Sequence, residues 1–137
     1  MRIVSAVVSR PVDACWRAFT DAVRMPKWVP GLKTATLVEK DSEGLPVEVR
    51  FAYVAGLDYA LVYTYDKARR VVRWEPRPDE IERGGVRGFA RFDETADGTR
   101  FTYALEHDEG RKAAERALDD PNRLVEAFSR WMHEERD

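Results

Sequence analysis

Between Leu32 and His107 the chain reads as six strand-like segments in unbroken succession, and this run limits the possible folds more than any other feature. LKTATLVEK (32–40), VEVRFAYV (47–54), DYALVYTY (58–65), RVVRWEP (70–76), IERGGVRGFARF (81–92) and TRFTYALEH (99–107) are rich in β-branched and aromatic residues. Turn signals separate them at 41–44, 55–56, 66–69, 78–79 and Asp97–Gly98, the last a strong hairpin signal. Connections this short have no room for crossover helices, so the pattern predicts an antiparallel meander. Gly84–Gly85 marks a bulge or bend within the fifth segment.

The flanks set how such a sheet is covered. IVSAVVS (3–9) reads as one more strand. Val12, Cys15, Phe19 and Val23 then recur at helical spacing, with Trp16 beside the stripe, until Pro26 and Pro30 break it. Trp28, between those prolines, is expected to act as a packing anchor. After the last strand, Ala114, Ala117 and Leu118 and then Leu124, Val125, Phe128, Trp131 and Met132 return to helical spacing around Asp119–Asp120–Pro121. Proline suits the first position of a helix and aspartate the N-cap before it. A short helix and then a main helix from Pro121 to about Glu135 are predicted; a kinked continuous helix is the alternative.

The resulting order is strand, broken helix, six strands, long helix. Seven strands spaced ~4.8 Å apart make a sheet roughly 30 Å wide, whereas a helix with side chains is only ~10–12 Å across. The sheet must therefore bend around the helix, and Gly84, Gly85 and Gly88 lie where bending helps. Alternation assigns the concave face. Phe51 and Tyr53 fall there opposite Glu48 and Arg50, and Tyr59, Leu61 and Tyr63 share one side of their strand. Trp74 lies between Arg73 and Glu75; Ala90 and Phe92 oppose Arg87 and Arg91; Phe101, Tyr103, Leu105 and His107 oppose Arg100 and Glu106. The helix would add Leu124, Phe128, Trp131 and Met132. Such a surface either lines a chamber for a small molecule or fills it completely, and both readings stand.

Bulk properties narrow the field. One domain over residues 1–137 suits the length. Lys plus Arg number 23 against 25 Asp plus Glu, interspersed, for a net charge of −2, so there is no basic stripe for nucleic acid. No apolar run approaches the ~18 residues of a membrane span, the N-terminus lacks a signal-peptide pattern, and a single cysteine excludes an internal disulfide; a cytoplasmic location is expected. The histidines, His107 and His133, and Cys15 form no metal-binding spacing, and GGVRG lacks the lysine and context of a phosphate loop. No metal or cofactor is predicted. Cys15 sits on an apolar helical stripe and reads as a buried, inert thiol.

RPVDACWRAFTD followed by MPKWVPGL, then EGLPVEVRF, YTYD with RRVVRWE, and ADGTRFTYALEHDEG stand in an order and spacing that resemble the polyketide cyclase/dehydrase and lipid-transfer superfamily, near its coenzyme-Q-binding-like subgroup. The resemblance covers nearly the whole chain. It implies an α+β helix-grip (START-like) fold: a seven-stranded antiparallel curved sheet around a long C-terminal helix, a short broken helix after the first strand, and an apolar cavity between sheet and helix. Two departures concern the cavity. Ala90 stands where relatives often carry an aromatic, and Asp119–Pro121 interrupts the terminal helix.

The fold implied by that resemblance hosts several activities, and the residues supply no catalytic set. Binding or transport of a small hydrophobic molecule (lipid, quinone or polyketide) is the leading expectation. Phe51, Tyr53, Tyr59, Leu61, Tyr63, Trp74, Ala90, Phe92, Tyr103, His107, Phe128, Trp131 and Met132 are the candidate ligand contacts, with Tyr63 and Tyr103 placed to hydrogen-bond a ligand oxygen. The alternatives are a polyketide cyclase or dehydratase using tyrosine or His107 for proton transfer, and a regulatory interaction module. His107 also reads as an ordinary strand-end histidine. A monomer and a homodimer are both compatible with the sequence.

Overall fold

The computed structural model describes residues 1–79, 85–108 and 111–134. The first strand, β1 (Arg2–Val8), leads into α1 (Val12–Thr20) and a 3₁₀ segment (Ala22–Lys27). Six strands follow: β2 (Leu32–Lys40), β3 (Pro46–Tyr53), β4 (Asp58–Asp66), β5 (Val71–Pro76), β6 (Val86–Thr95) and β7 (Gly98–His107). The chain closes with α2 (Ala113–Leu118) and α3 (Pro121–Glu134). The expected bend at Gly84, the start of the fifth segment and the tail beyond Glu134 lie outside the described residues.

All seven strands form one antiparallel sheet in the order β1-β7-β6-β5-β4-β3-β2. The meander is as expected, and β1 joins it by pairing with β7, Ser5 opposite Thr102. The buried side chains alternate along β5 and β6, with Val72, Trp74, Val86, Ala90 and Phe92 turned to the core. Thr102, expected on the outer side, is nonetheless buried, because β1 and β6 flank it on a central strand.

Two glycines fix the backbone. At Gly88 a Cβ would stand 1.9 Å from the Ala104 carbonyl oxygen, so only glycine lets β6 approach β7 this closely. Gly98, in the Asp97–Gly98 turn, takes φ +141°, and a Cβ there would meet the Val8 carbonyl at 2.2 Å.

The helical cover comes from both ends of the chain. In α1, Val12, Cys15 and Phe19 are buried; Pro26, which cannot donate a backbone bond, sits in the 3₁₀ turn that follows. Between α2 and α3 the chain is split: the Asp120 carboxylate caps the Asn122 N–H at 2.9 Å, and Pro121 opens the new helix. Along α3, Leu124, Phe128 and Met132 are buried, each ~40° apart around the axis. Trp131 lies on the flank of that stripe and turns toward the 3₁₀ segment, whose Arg24 guanidinium sits 5.3 Å over its ring.

Candidate functional site

Between sheet and helices lies a cavity of about 40 Å³. Its sheet wall is Phe51, Tyr53, Tyr59, Leu61, Tyr63, Trp74, Val86, Tyr103 and Leu105. Its opposite wall is Phe19 from α1, Met25, Trp28 and Val29 around the 3₁₀ segment, Leu32, and Leu124 from α3, with Asp119 at the α2–α3 junction. The volume suits about one water, each of which occupies ~30 Å³ in the liquid, whereas a cavity of ~150 Å³ is needed to admit a benzene ring. The chamber is thus narrower than the width argument predicts. That argument counted only the terminal helix as cover. Phe19 and Trp28 enter from the other end of the chain; Phe19 packs tilted or edge-on against Trp74, Phe92, Phe101 and Phe128 with ring centroids 5.5–6.1 Å apart, and Trp28 edge-on against Phe128 at 5.1 Å.

Of the expected contacts, Phe51, Tyr53, Tyr59, Leu61, Tyr63, Trp74 and Tyr103 come together on the cavity wall. Ala90, Phe92, Phe128 and Met132 are buried in the adjoining core without lining it. Trp131 faces a separate crevice beside Arg10, Arg17 and Arg24. His107 stands behind the wall, touching the cavity only through its partner Asp119. Trp28 serves both as packing anchor and as lining residue.

The polar end of the cavity is a cluster of charged and phenolic groups. Asp119 receives His107 Nε2–H at 2.6 Å and Arg111 Nη2–H at 2.8 Å on Oδ1, and the Tyr59 hydroxyl at 3.1 Å on Oδ2. The side chains of Arg111 and Asp119 are 0% and 3% exposed. Arg111 also donates to the Glu115 carbonyl at 2.7 Å and stands 5.7 Å over the Tyr59 ring. The Tyr59 and Tyr53 oxygens are 3.3 Å apart. Tyr59 has one proton and gives it to the carboxylate, the stronger acceptor, so Tyr53 donates to Tyr59 and a chain runs Tyr53 to Tyr59 to Asp119. Arg111 balances the buried aspartate, as a carboxylate out of water requires.

Elsewhere the cavity wall holds donors without acceptors. Trp28 Nε1 and Trp74 Nε1 are buried and lack a partner, and the Tyr63 and Tyr103 side chains line the same wall. Burial pushes the Tyr59, Tyr63 and Tyr103 phenols well above their ordinary range, with neighbouring tyrosines adding to the shift and Asp119 adding to it for Tyr59 and Tyr103. They are therefore neutral donors at any physiological pH. Native interiors seldom leave buried donors unused, so two indole N–H groups on one small cavity mark a place for acceptors. Burial likewise raises the Cys15 thiol, with a weak contact to the Arg10 carbonyl, and it lies away from the cavity. The described residues hold no group of side chains spaced for a metal, and no helix among them is long and apolar enough to cross a membrane.

Asp119 and Arg111 were not among the residues singled out from sequence. A signal existed for Asp119: of two consecutive aspartates before Pro121, one caps the helix and the other is left to turn inward. Arg111 carried none, since GRKAAER reads as a solvated segment.

Residues 3–135 match the sequence profile of the family described as polyketide cyclase/dehydrase and lipid transport. No curated protein matches the chain. Among solved structures, a START superfamily protein from Mycobacterium smegmatis is similar at 10% identity, with 96% of each chain covered and a TM-score of 0.74. The Zhui aromatase/cyclase from Streptomyces sp. R1128 is similar at 20% identity, over 96% of this chain and 93% of that one, with a TM-score of 0.71. A STAR-related lipid transfer protein from Xanthomonas axonopodis is similar at 16% identity, over 96% and 85%, with a TM-score of 0.72. At these identities the structural likeness speaks to the fold, which is the helix-grip arrangement expected from sequence. With the profile match spanning almost the whole chain, the protein belongs to the polyketide cyclase/dehydrase and lipid transport family.

Proposed function

We propose that the protein binds a small, uncharged, largely apolar molecule carrying hydrogen-bond-accepting oxygens, such as a ketone or quinone, in the cavity between sheet and α3. The observation that carries this reading is the pair of unpartnered buried donors, Trp28 Nε1 and Trp74 Nε1, on a largely apolar wall that the Tyr63 and Tyr103 side chains also line. Membership of a family described by lipid transport and polyketide cyclisation supports a hydrophobic ligand. A carboxylate would be poorly served, because the guanidinium that reaches this region is already balanced by Asp119. The resting cavity is smaller than any such ligand, so binding requires the aromatic lining or α2 to shift.

The test is a matched series: 2-acetonaphthone, 2-ethylnaphthalene and 2-naphthoate, followed by calorimetry and by quenching of tryptophan emission. The ketone is expected to bind about tenfold more tightly than the hydrocarbon, the worth of one or two hydrogen bonds, and the anion more weakly than either. Equal binding of ketone and hydrocarbon, or preference for the anion, would overturn the reading.

The Tyr53–Tyr59–Asp119 chain favours a second reading, an enzyme that moves a proton at a bound carbonyl compound, with Tyr53 at the reacting end. Tyr53→Phe would then abolish turnover of a poly-β-ketone while leaving binding of 2-acetonaphthone intact.

A further inference from the structure

The two edges of the sheet are built differently. β2 carries Lys33, Glu39 and Lys40, and its pairing with β3 shifts register between Leu32 and Thr34 and again around Glu39. Charges and bulges of this kind are what discourage an edge strand from accepting another strand. β1 has neither. It pairs with β7 over residues 2–8 without a register shift, and its one charge, Arg2, is directed to Asp120 on the neighbouring chain segment. On its outer face Ile3 and Val7 are 62% and 43% exposed, and on its inner face Val4 and Ala6 are only partly buried.

The sequence of β1 is also complementary to itself. In RIVSAVV, Ile3 and Val7 stand at equal distances on either side of Ser5. A second copy laid antiparallel across a two-fold axis at Ser5 sets Ile3 opposite Val7 of that copy, Val4 opposite its Ala6, and Ser5 opposite its Ser5. No like charges meet, since Arg2 falls opposite Val8, and apolar cross-strand pairs of this kind stabilise a sheet. The outer row then runs Phe89, Ala104, Ile3 and on to Val7 of the second copy, continuing the register already present between β6, β7 and β1. The contact is isologous and closes as a dimer.

We propose that the β1 edge is a self-association surface, joining two copies of this chain through antiparallel β1–β1 pairing centred on Ser5. Sedimentation velocity over a micromolar to near-millimolar range should show monomer passing to dimer. Ile3→Lys, at an exposed position that leaves the core untouched, should weaken the dimer roughly tenfold or more, because the symmetric change removes two Ile–Val pairs at once; Val7→Lys should do the same. Directly opposed residues in an antiparallel pair have Cβ atoms ~4.5–5.5 Å apart, near disulfide reach. Ser5→Cys should therefore form a covalent dimer under oxidised glutathione, Cys15 being buried. Thr36→Cys on the opposite edge should not. A wild-type chain that stays monomeric throughout, a dimer indifferent to both lysine variants, or cross-linking of Ser5→Cys no faster than of Thr36→Cys would each overturn the proposal.

Discussion

Removing the Asp119 carboxylate should destabilise the fold far more than a substitution at a helix junction ordinarily does. Its side chain is 3% exposed and touches three groups from three segments: His107 at the end of β7, Arg111 before α2, and Tyr59 on β4. Asp119→Leu strips the buried guanidinium of this counter-charge. Breaking a buried ion pair from one side costs about 3–5 kcal/mol; because Arg111 keeps its bond to the Glu115 carbonyl, the lower end, about 3 kcal/mol, is expected. With a urea slope of about 2 kcal/mol/M for a domain of this size, the midpoint should fall by about 1.5 M. Arg111→Met should cost a similar amount. The double variant, with both charges replaced by apolar groups of comparable volume, should recover to within about 1 kcal/mol of wild type, since a matched apolar pair often equals a buried ion pair. Urea unfolding followed by circular dichroism gives all four corners of the cycle. If Asp119→Leu alone costs under about 1 kcal/mol, or if the two single effects simply add, the charge-balance argument fails.

Tyr53, Tyr59, Tyr63 and Tyr103 all have phenols raised by burial. Between the unfolded value near 10 and the raised folded values, the unfolded chain holds fewer protons than the folded one, so stability is intact below pH 10 and falls above it, by about 1.4 kcal/mol per pH unit for each group. Phenolate absorbance at 295 nm should appear in one step with the loss of near-ultraviolet circular dichroism; free titration of these four in the folded state would contradict their burial. Gly88→Ala should cost about 3 kcal/mol or more, because the clash is with the Ala104 carbonyl rather than a movable side chain; a thermal midpoint unchanged within a degree would refute this. Trp74→Phe removes one unpartnered donor and trims the indole to a phenyl ring, so the ratio of affinities for 2-acetonaphthone and 2-ethylnaphthalene should fall about threefold to tenfold; an unchanged ratio would mean that only ring packing changed.

The architecture was legible because local signals agreed with one another. Short turns forced the meander, prolines stopped the first helical region, and the Asp120–Pro121 pair started the last helix where it is found. Tyr59, Leu61 and Tyr63 reached the cavity wall by simple alternation. What sequence did not disclose depends on contacts between distant segments. Phe19 and Trp28 fill the cavity only because the 3₁₀ turn folds them back over the sheet. Arg111 is buried only because Asp119 awaits it, and no periodicity in a charged stretch announces such a pairing. The side of α3 to which Trp131 turns rested on a difference of ~60° around the helix, too fine for a spacing rule to resolve.

The six residues of α2 include none that is buried; Leu118 alone packs partly against the core, so the segment is held chiefly by the polar anchors Arg111 and Asp119 at its two ends. Lifting α2 by breaking that pair would therefore carry the same cost as Asp119→Leu, whereas changes between the two anchors leave it in place. Exchanging residues 112–118 for another spacer keeps both anchors, so the melting behaviour of the body should stay nearly unaltered while the approach to the cavity beside Asp119 changes.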